Sequence, residues 1–275
     1  MTNGINRIYG IAQLTFTEAV RQKFFYVVLL MGVGMLLGAG FFQQFDFGTE
    51  ELKFIIDFGF GIIFLLGSIM AITASAQLFF NELENRTVHT LLAKPVRHYE
   101  FIVGKFIGIQ LLMLAFVAVM CALLAILLVF RESSLLALTG EASGNLVRYG
   151  DVALFGLTQW ARFGVLCGIT LFIGSFARSY LLTLMLAFMV MLIGQLQYLA
   201  HDGYAAGSSF LIRWLFEVVI LIFPNLQLFN VGDQLGVLSA VGISWITLAQ
   251  LLAYASAYCG AYLVLAWWNF RNREL

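Results

Sequence analysis

Charged residues and proline are scarce in this chain, and both shortages argue against an ordinary soluble domain. Only 11% of its 275 residues are charged and only two are proline, whereas about a quarter of the residues in soluble domains are charged. Hydrophobic residues account for 61%, and the mean hydropathy is +0.93. This composition indicates an integral membrane protein. The formal net charge is zero, so the chain lacks the basic excess on which nucleic-acid binding depends.

Cysteine and histidine are also few, and their spacing excludes two kinds of site. The cysteines lie singly inside apolar runs, without a CxxC motif, which predicts reduced, packed thiols and no disulfide framework: Cys121, Cys167 and Cys259. The histidines have no HExxH or other ligand spacing: His89, His98 and His201. We therefore expect no metal and no cofactor in this chain.

The chain has no nucleotide-binding motif of its own. Its single Gly-Lys pair is Gly104-Lys105. A P-loop needs a second glycine five positions before that glycine and Ser or Thr after the lysine, but Tyr99 and Phe106 occupy those places. Since there is also no serine or cysteine nucleophile motif, we predict a non-catalytic protein.

Long apolar runs predict an all-α membrane protein with six transmembrane helices in one domain, 1–275. About 20 apolar residues cross the hydrocarbon core, and we place the spans at 24–44, 55–80, 101–130, 153–176, 180–200 and 239–268. Residues 3–22 form an amphipathic stretch, which we interpret as an interfacial helix; a polar N-terminal tail is the alternative. Four small-residue spacings predict close helix packing without naming the partner: Gly34/Gly38, Gly104/Gly108, Gly164/Gly168 and Ala253/Ala257/Ala261.

Ionisable residues are rare in these spans. We expect Asp57, Arg162 and Lys105 to lie near span ends, with Arg162 in the outer part of the fourth. Charges inside a membrane usually mark ion or polar-substrate paths. Their scarcity argues against proton-coupled transport and favours an apolar substrate or none.

The distribution of basic residues predicts the orientation. With the N-terminus inside, ten Lys and Arg fall in cytoplasmic segments and four in outer ones, as the positive-inside rule requires. We therefore expect a multi-pass protein of the bacterial cytoplasmic membrane, in contact with lipid, with both termini cytoplasmic.

Residues 201–238 are harder to assign. The stretch 208–223 is apolar but short, carries Arg213 and Glu217, and ends at Pro224. A full span here would make seven and move the C-terminus outside. We favour a helix that enters or lies on the outer face without crossing.

The polar stretch 81–105 stands between two apolar runs and holds a dense set of charges. Asn81 and Glu84 form a capping pattern, residues 87–94 have room for about two helical turns, and Pro95 ends them. Leu91 and Leu92 are then exposed apolar residues among charges. A short helix joined stiffly to two spanning helices would transmit displacement well, which predicts a cytoplasmic coupling helix.

The order of residues in this stretch resembles the first inner loop of ABC-2 type transporter permeases. The pattern is Glu84-x-x-Thr87, then LLAKPVR at 91–97, then Gly104-Lys105. Arg86 stands where that family usually has glycine. The C-terminal WNFRNREL is similar to an ending common in these permeases. The stretch FPNLQLFN at 223–230 resembles one found in the branch that includes the nitrous-oxide reductase maturation permease.

The resemblance implies a permease that works as a dimer with ABC ATPase subunits. The second permease copy would be identical or a sister chain, and ATP and Mg would be bound by the ATPase. The implied ATPase-coupling residues are Glu84, Thr87, Leu91, Leu92, Pro95 and Arg97. Two function classes follow: a transporter subunit that moves a substrate across or out of the membrane, or a mechanical transmitter that acts on an extracytoplasmic partner protein without transport.

Overall fold

The computed structural model describes residues 4–39, 50–84, 98–139, 147–204, 222–232 and 244–271. Every regular element in these ranges is helical. The α-helices are α1 (Gly4–Arg21), α2 (Lys23–Ala39), α3 (Glu50–Glu84), α4 (His98–Thr139), α5 (Tyr149–Phe176), α6 (Tyr180–Tyr204) and α7 (Trp245–Arg271). A short 3₁₀ helix covers Leu226–Phe229.

Five of these helices are long and apolar enough to cross a membrane: α3, α4, α5, α6 and α7. They confirm that the predicted spans from 55–80 onward fall on helices apolar enough to cross, and most of these helices are longer than the predicted spans. The first predicted span, 24–44, is described only as far as the end of α2, because residues 40–49 lie outside the described ranges. Counting the bent pair α1–α2 as one span gives up to six.

Helix α5 is the centre of the bundle. It packs against α3, α4, α6 and α7, and most of its residues are buried. Helix α2 packs against α3 and α4, and α6 packs against α3 and α5. The apolar core therefore runs through α3, α4 and α5, with α2, α6 and α7 around it.

The chain breaks sharply between the first two helices. The axes of α1 and α2 differ by 61°, and the break lies at Gln22, whose backbone N–H bonds to the carbonyl of Ala19. The apolar face predicted for 3–22 exists, but it packs against α4. The amphipathic helix is thus confirmed, and its contact with lipid remains a prediction.

Both ends of the described chain lie at one end of the bundle. We call this the near end, where α3 ends at Glu84 and α4 begins at His98; the opposite end is the far end. Arg7 of α1 pairs with Glu100, and Phe270 of α7 stacks on Phe101. The turn from α5 to α6 is there too, since Tyr180 contacts Phe80.

The structure corrects the expected position of Arg162. This residue lies 13 residues after Tyr149 and 14 before Phe176, at the middle of α5, and its side chain is 1% exposed. The predicted span starts at 153, whereas the helix begins four residues earlier, at Tyr149. Arg162 therefore lies in the centre of a span and not at its outer part.

Residues 222–232 form a short, largely irregular segment inside the bundle, with the 3₁₀ helix in its middle. Its Leu226 and Phe229 are fully buried. A Cβ on Gly194 of α6 would lie 2.8 Å from the Pro224 carbonyl oxygen, and the Tyr262 hydroxyl of α7 donates to the Ile222 carbonyl oxygen at 2.6 Å. Irregular backbone at membrane depth is tolerated where protein buries it, which fits a segment that enters without crossing. Residues 205–221 and 233–243, the rest of the predicted outer region, lie outside the described ranges.

Candidate functional site

The near end of the bundle holds the base of the predicted coupling loop. Helix α3 has 35 residues and α4 has 42, or about 52 and 63 Å at 1.5 Å per residue. Both exceed the hydrocarbon core of about 30 Å. Of the predicted coupling residues, Glu84 is the last residue of α3; the other five lie at 85–97, outside the described ranges: Thr87, Leu91, Leu92, Pro95 and Arg97.

Lys105 ties the two helices together at this base. It lies seven residues after the start of α4 and is fully buried. Its Nζ donates a hydrogen bond of 2.5 Å to the carbonyl oxygen of Leu78, six residues before the end of α3. A cation near the carboxyl end of a helix also interacts favourably with the helix dipole. The lysine of the Gly-Lys pair thus joins the helix entering the loop to the helix leaving it.

An aromatic cluster fills the space beside Lys105. Phe101 stacks on Phe270 with ring centroids 5.8 Å apart, and Phe79 meets Phe270 edge-on at 5.9 Å. The imidazole of His98 also contacts the Phe270 ring edge-on at 5.8 Å. The last turn of α7 is therefore packed between the end of α3 and the start of α4. Edge-to-face and offset-stacked aromatic pairs add to the energy of simple burial.

Helix α1 is fixed to the first turns of α4 by close backbone contact. A Cβ on Gly104 would lie 2.8 Å from Ile11, and one on Gly108 would lie 2.7 Å from the Ala12 carbonyl oxygen. Only glycine permits this approach. Arg7 supports the contact through its ion pair with the buried Glu100, at 3.5 Å.

These contacts join α1, α3, α4 and α7 at the base of the loop. The described residues contain no group of three or more His, Cys, Asp or Glu placed to hold a metal ion.

Comparison with known families decides the class. A family model described as ABC-2 family transporter protein matches residues 9–275. The chain belongs to the ABC-2 transporter family. No curated protein matches it. An ABC-2 permease is a membrane transport component and not itself catalytic, and the family implies an ABC ATPase partner and usually a second permease copy.

Sequence reasoning missed three residues that this ABC-2 permease places at key contacts. The sequence places Lys105 in a motif, in a failed P-loop and near a span end, but does not predict its bond to α3. Phe270 belongs to the C-terminal pattern, which does not predict its contacts with α3 and α4. The signal that could have indicated them is an aromatic residue at the helix end, one position before Arg271. Arg162 was visible as a charge inside an apolar run, which is itself a signal of function.

Two of the four predicted small-residue faces pack against another helix of the chain. Gly104 and Gly108 receive α1, and Gly164 and Gly168 face Cys259 and Tyr262 of α7. A Cβ on Gly34 or Gly38 of α2 would meet nothing within 4 Å, and Ala253, Ala257 and Ala261 are exposed. The three cysteines are free thiols, as predicted.

Proposed function

We propose that this ABC-2 permease receives force from a separate ATPase chain at residues 85–97 and uses it to move a substrate across or out of the membrane. One observation supports this most: both helices that flank the loop are locked at their base. The Lys105–Leu78 bond joins α3 to α4, and Phe270 packs against both. A contact that pushes on the loop therefore moves the bundle instead of bending a hinge.

The proposed orientation puts the near end in the cytoplasm of a bacterial cell, together with both termini. The basic residues of the chain favour this arrangement. Glu84, Thr87, Leu91, Leu92, Pro95 and Arg97 would then face an ATPase that binds ATP and Mg. The leucines would fill a groove on the ATPase, and Arg97 would make a charge-assisted contact there or anchor the loop to lipid phosphate.

A second permease copy would pack against the faces of α2 and α6. Both helices pack on α3, and both expose large apolar side chains, among them Leu30 and Met31 of α2 and Leu181 and Met185 of α6. Open space beside Gly34 and Gly38 permits close approach of another helix.

The test of the coupling proposal is co-purification of the tagged ATPase with loop variants. Burial of one leucine contributes about 1.5–3 kcal/mol, so Leu91→Ala with Leu92→Ala should weaken the association at least roughly tenfold, while the permease still inserts. The control is Lys53→Glu. Lys53 is an exposed residue of α3 that lies 31 residues before Glu84, at the far end, and its variant should retain the ATPase. Full retention by the double leucine variant, together with coupled activity, would refute the proposal.

A further inference from the structure

The buried charge at the centre of α5 is part of a chain of polar contacts that crosses three elements. Arg162 donates from its terminal Nη2 to Oε1 of Gln195 on α6. Gln195 in turn donates from Nε2 to Oε1 of Gln227 in the 3₁₀ helix, at 2.6 Å. We call these three residues the amide relay.

The direction of the amide relay follows from chemistry. Arginine has only donors, so it forces Gln195 to present its oxygen. The Gln195 nitrogen must then be the donor to Gln227, which has to accept through its own oxygen. The last group of the relay is therefore the amide nitrogen of Gln227. The side-chain amide dipoles of Gln195 and Gln227 both have their positive ends directed away from Arg162.

The relay carries a positive charge that the described part of the chain does not neutralise. No described carboxylate pairs with Arg162, and its buried Nε–H has no hydrogen-bond acceptor there. The ring of Phe64 covers one side of the guanidinium, 3.9 Å from its central carbon, and provides part of the compensation. Inside low-dielectric protein such a charge acts over longer distances than in water.

Gln227 lines a cavity of about 450 Å³ in the far half of the bundle, between residues 227–231 and the first turns of α7. Its polar lining consists of amides and hydroxyls: Gln227, Asn230, Thr247, Gln250 and Tyr254. No charged side chain contributes to the lining among the described residues. This size suits a small ligand or a headgroup.

We propose that this cavity binds an oxyanion, the negatively charged headgroup of an amphiphile or a free anion, and that Arg162 sets the preference for negative charge through Gln195 and Gln227. Three observations support it: a relay whose last amide, that of Gln227, lines the cavity, an unneutralised buried cation behind it, and a cavity whose polar lining consists of neutral hydrogen-bonding groups. The proposal does not depend on the ATPase.

The experiment uses the purified full-length permease in an equimolar mixture of phosphatidylglycerol and phosphatidylcholine, with the retained lipids counted by native mass spectrometry. We expect the wild type to retain the anionic lipid roughly tenfold over the zwitterionic one, as for a hydrogen bond to a charged group. Gln195→Glu and Gln227→Glu should reduce the ratio to about one. Gln195→Glu is informative because its carboxylate pairs with Arg162, so this variant should unfold at the wild-type temperature or above it.

The matched control is Gln197→Leu. Gln197 is buried on the same helix and has no hydrogen-bond partner for either amide atom among the described residues, so its removal should leave the lipid ratio unchanged. A second arm measures thermal unfolding in inorganic phosphate. Protection of the wild type but not of Gln195→Glu, with a lipid ratio near one, would assign the site to a soluble anion. A ratio near one without phosphate protection, or an unchanged preference in Gln195→Glu, would overturn the proposal.

Discussion

The contact between α1 and α4 is open to a sharp test, because a single methyl group should disrupt it. In Gly108→Ala the new Cβ would lie 2.7 Å from the Ala12 carbonyl oxygen and 2.6 Å from the Thr15 Cβ. Neither atom is the far end of a flexible side chain, so the backbones of the two helices have to separate. Overpacking of this kind costs about 1–3 kcal/mol.

The control is the same substitution at Gly10 on the outer face of α1, where a Cβ would meet nothing within 4 Å. Both variants gain the same helix propensity, about 1 kcal/mol relative to glycine. This term cancels in the comparison, so the free energies of unfolding should differ by about 1–3 kcal/mol, with Gly108→Ala the less stable.

Thermal unfolding of the purified variants measures this difference, and trypsin cleavage after Arg7 reports whether α1 has been released. Arg7 is held by Glu100 in the native contact, so cleavage there should be faster in Gly108→Ala than in Gly10→Ala. Equal unfolding temperatures and equal cleavage rates in the two variants would refute the claim that α1 is rigidly fixed to the base of the coupling loop.

Three further predictions concern the near end. Lys105→Met should loosen α3 from α4 by about 1.5–3 kcal/mol, the value of a hydrogen bond to a charged group, and should lower ATP-driven activity while ATPase binding persists; unchanged activity would argue against the tie. Phe270→Ala should cost on the order of 3 kcal/mol by leaving a cavity in the aromatic cluster, measurable as a lower unfolding temperature, whereas Trp268→Ala at a 66% exposed position should be milder. Cysteine labelling after Leu275 should occur only from the cytoplasmic side, and labelling from outside would mean that 208–223 crosses the membrane.

The helices could be predicted from the sequence because the length of an apolar run has to match the thickness of the membrane that it crosses. The spans of α3 to α7 were all identified, and the amphipathic pattern of residues 3–22 gave both the helix and its buried face. Helix ends were less accurate. Helix α4 begins at His98, three residues before the predicted span 101–130, and Glu100 in its polar first turn pairs with Arg7 from a distant part of the chain.

The contacts of the candidate site could not be predicted for the same reason. Lys105 bonds to a carbonyl 27 residues earlier, and Phe270 packs on Phe79, which is 191 residues away. No local pattern specifies which helices will meet. For Arg162 the sequence shows a charge inside an apolar run, but the depth of this residue in the span depends on where α5 begins. The coupling roles of all six residues, Glu84 included, remain predictions from the resemblance.

The position of Phe270 has a consequence for how the protein is made. The aromatic cluster joins residues of α3 and α4 to the last turn of α7, so two early helices depend on one that leaves the ribosome much later. During synthesis, the loop at 85–97 emerges long before its base is complete. A nascent or truncated permease would therefore present the coupling sequence on an unsupported base. Under the proposed coupling role, ATPase engagement would become productive only after α7 has been made, which would set the order of the assembly steps.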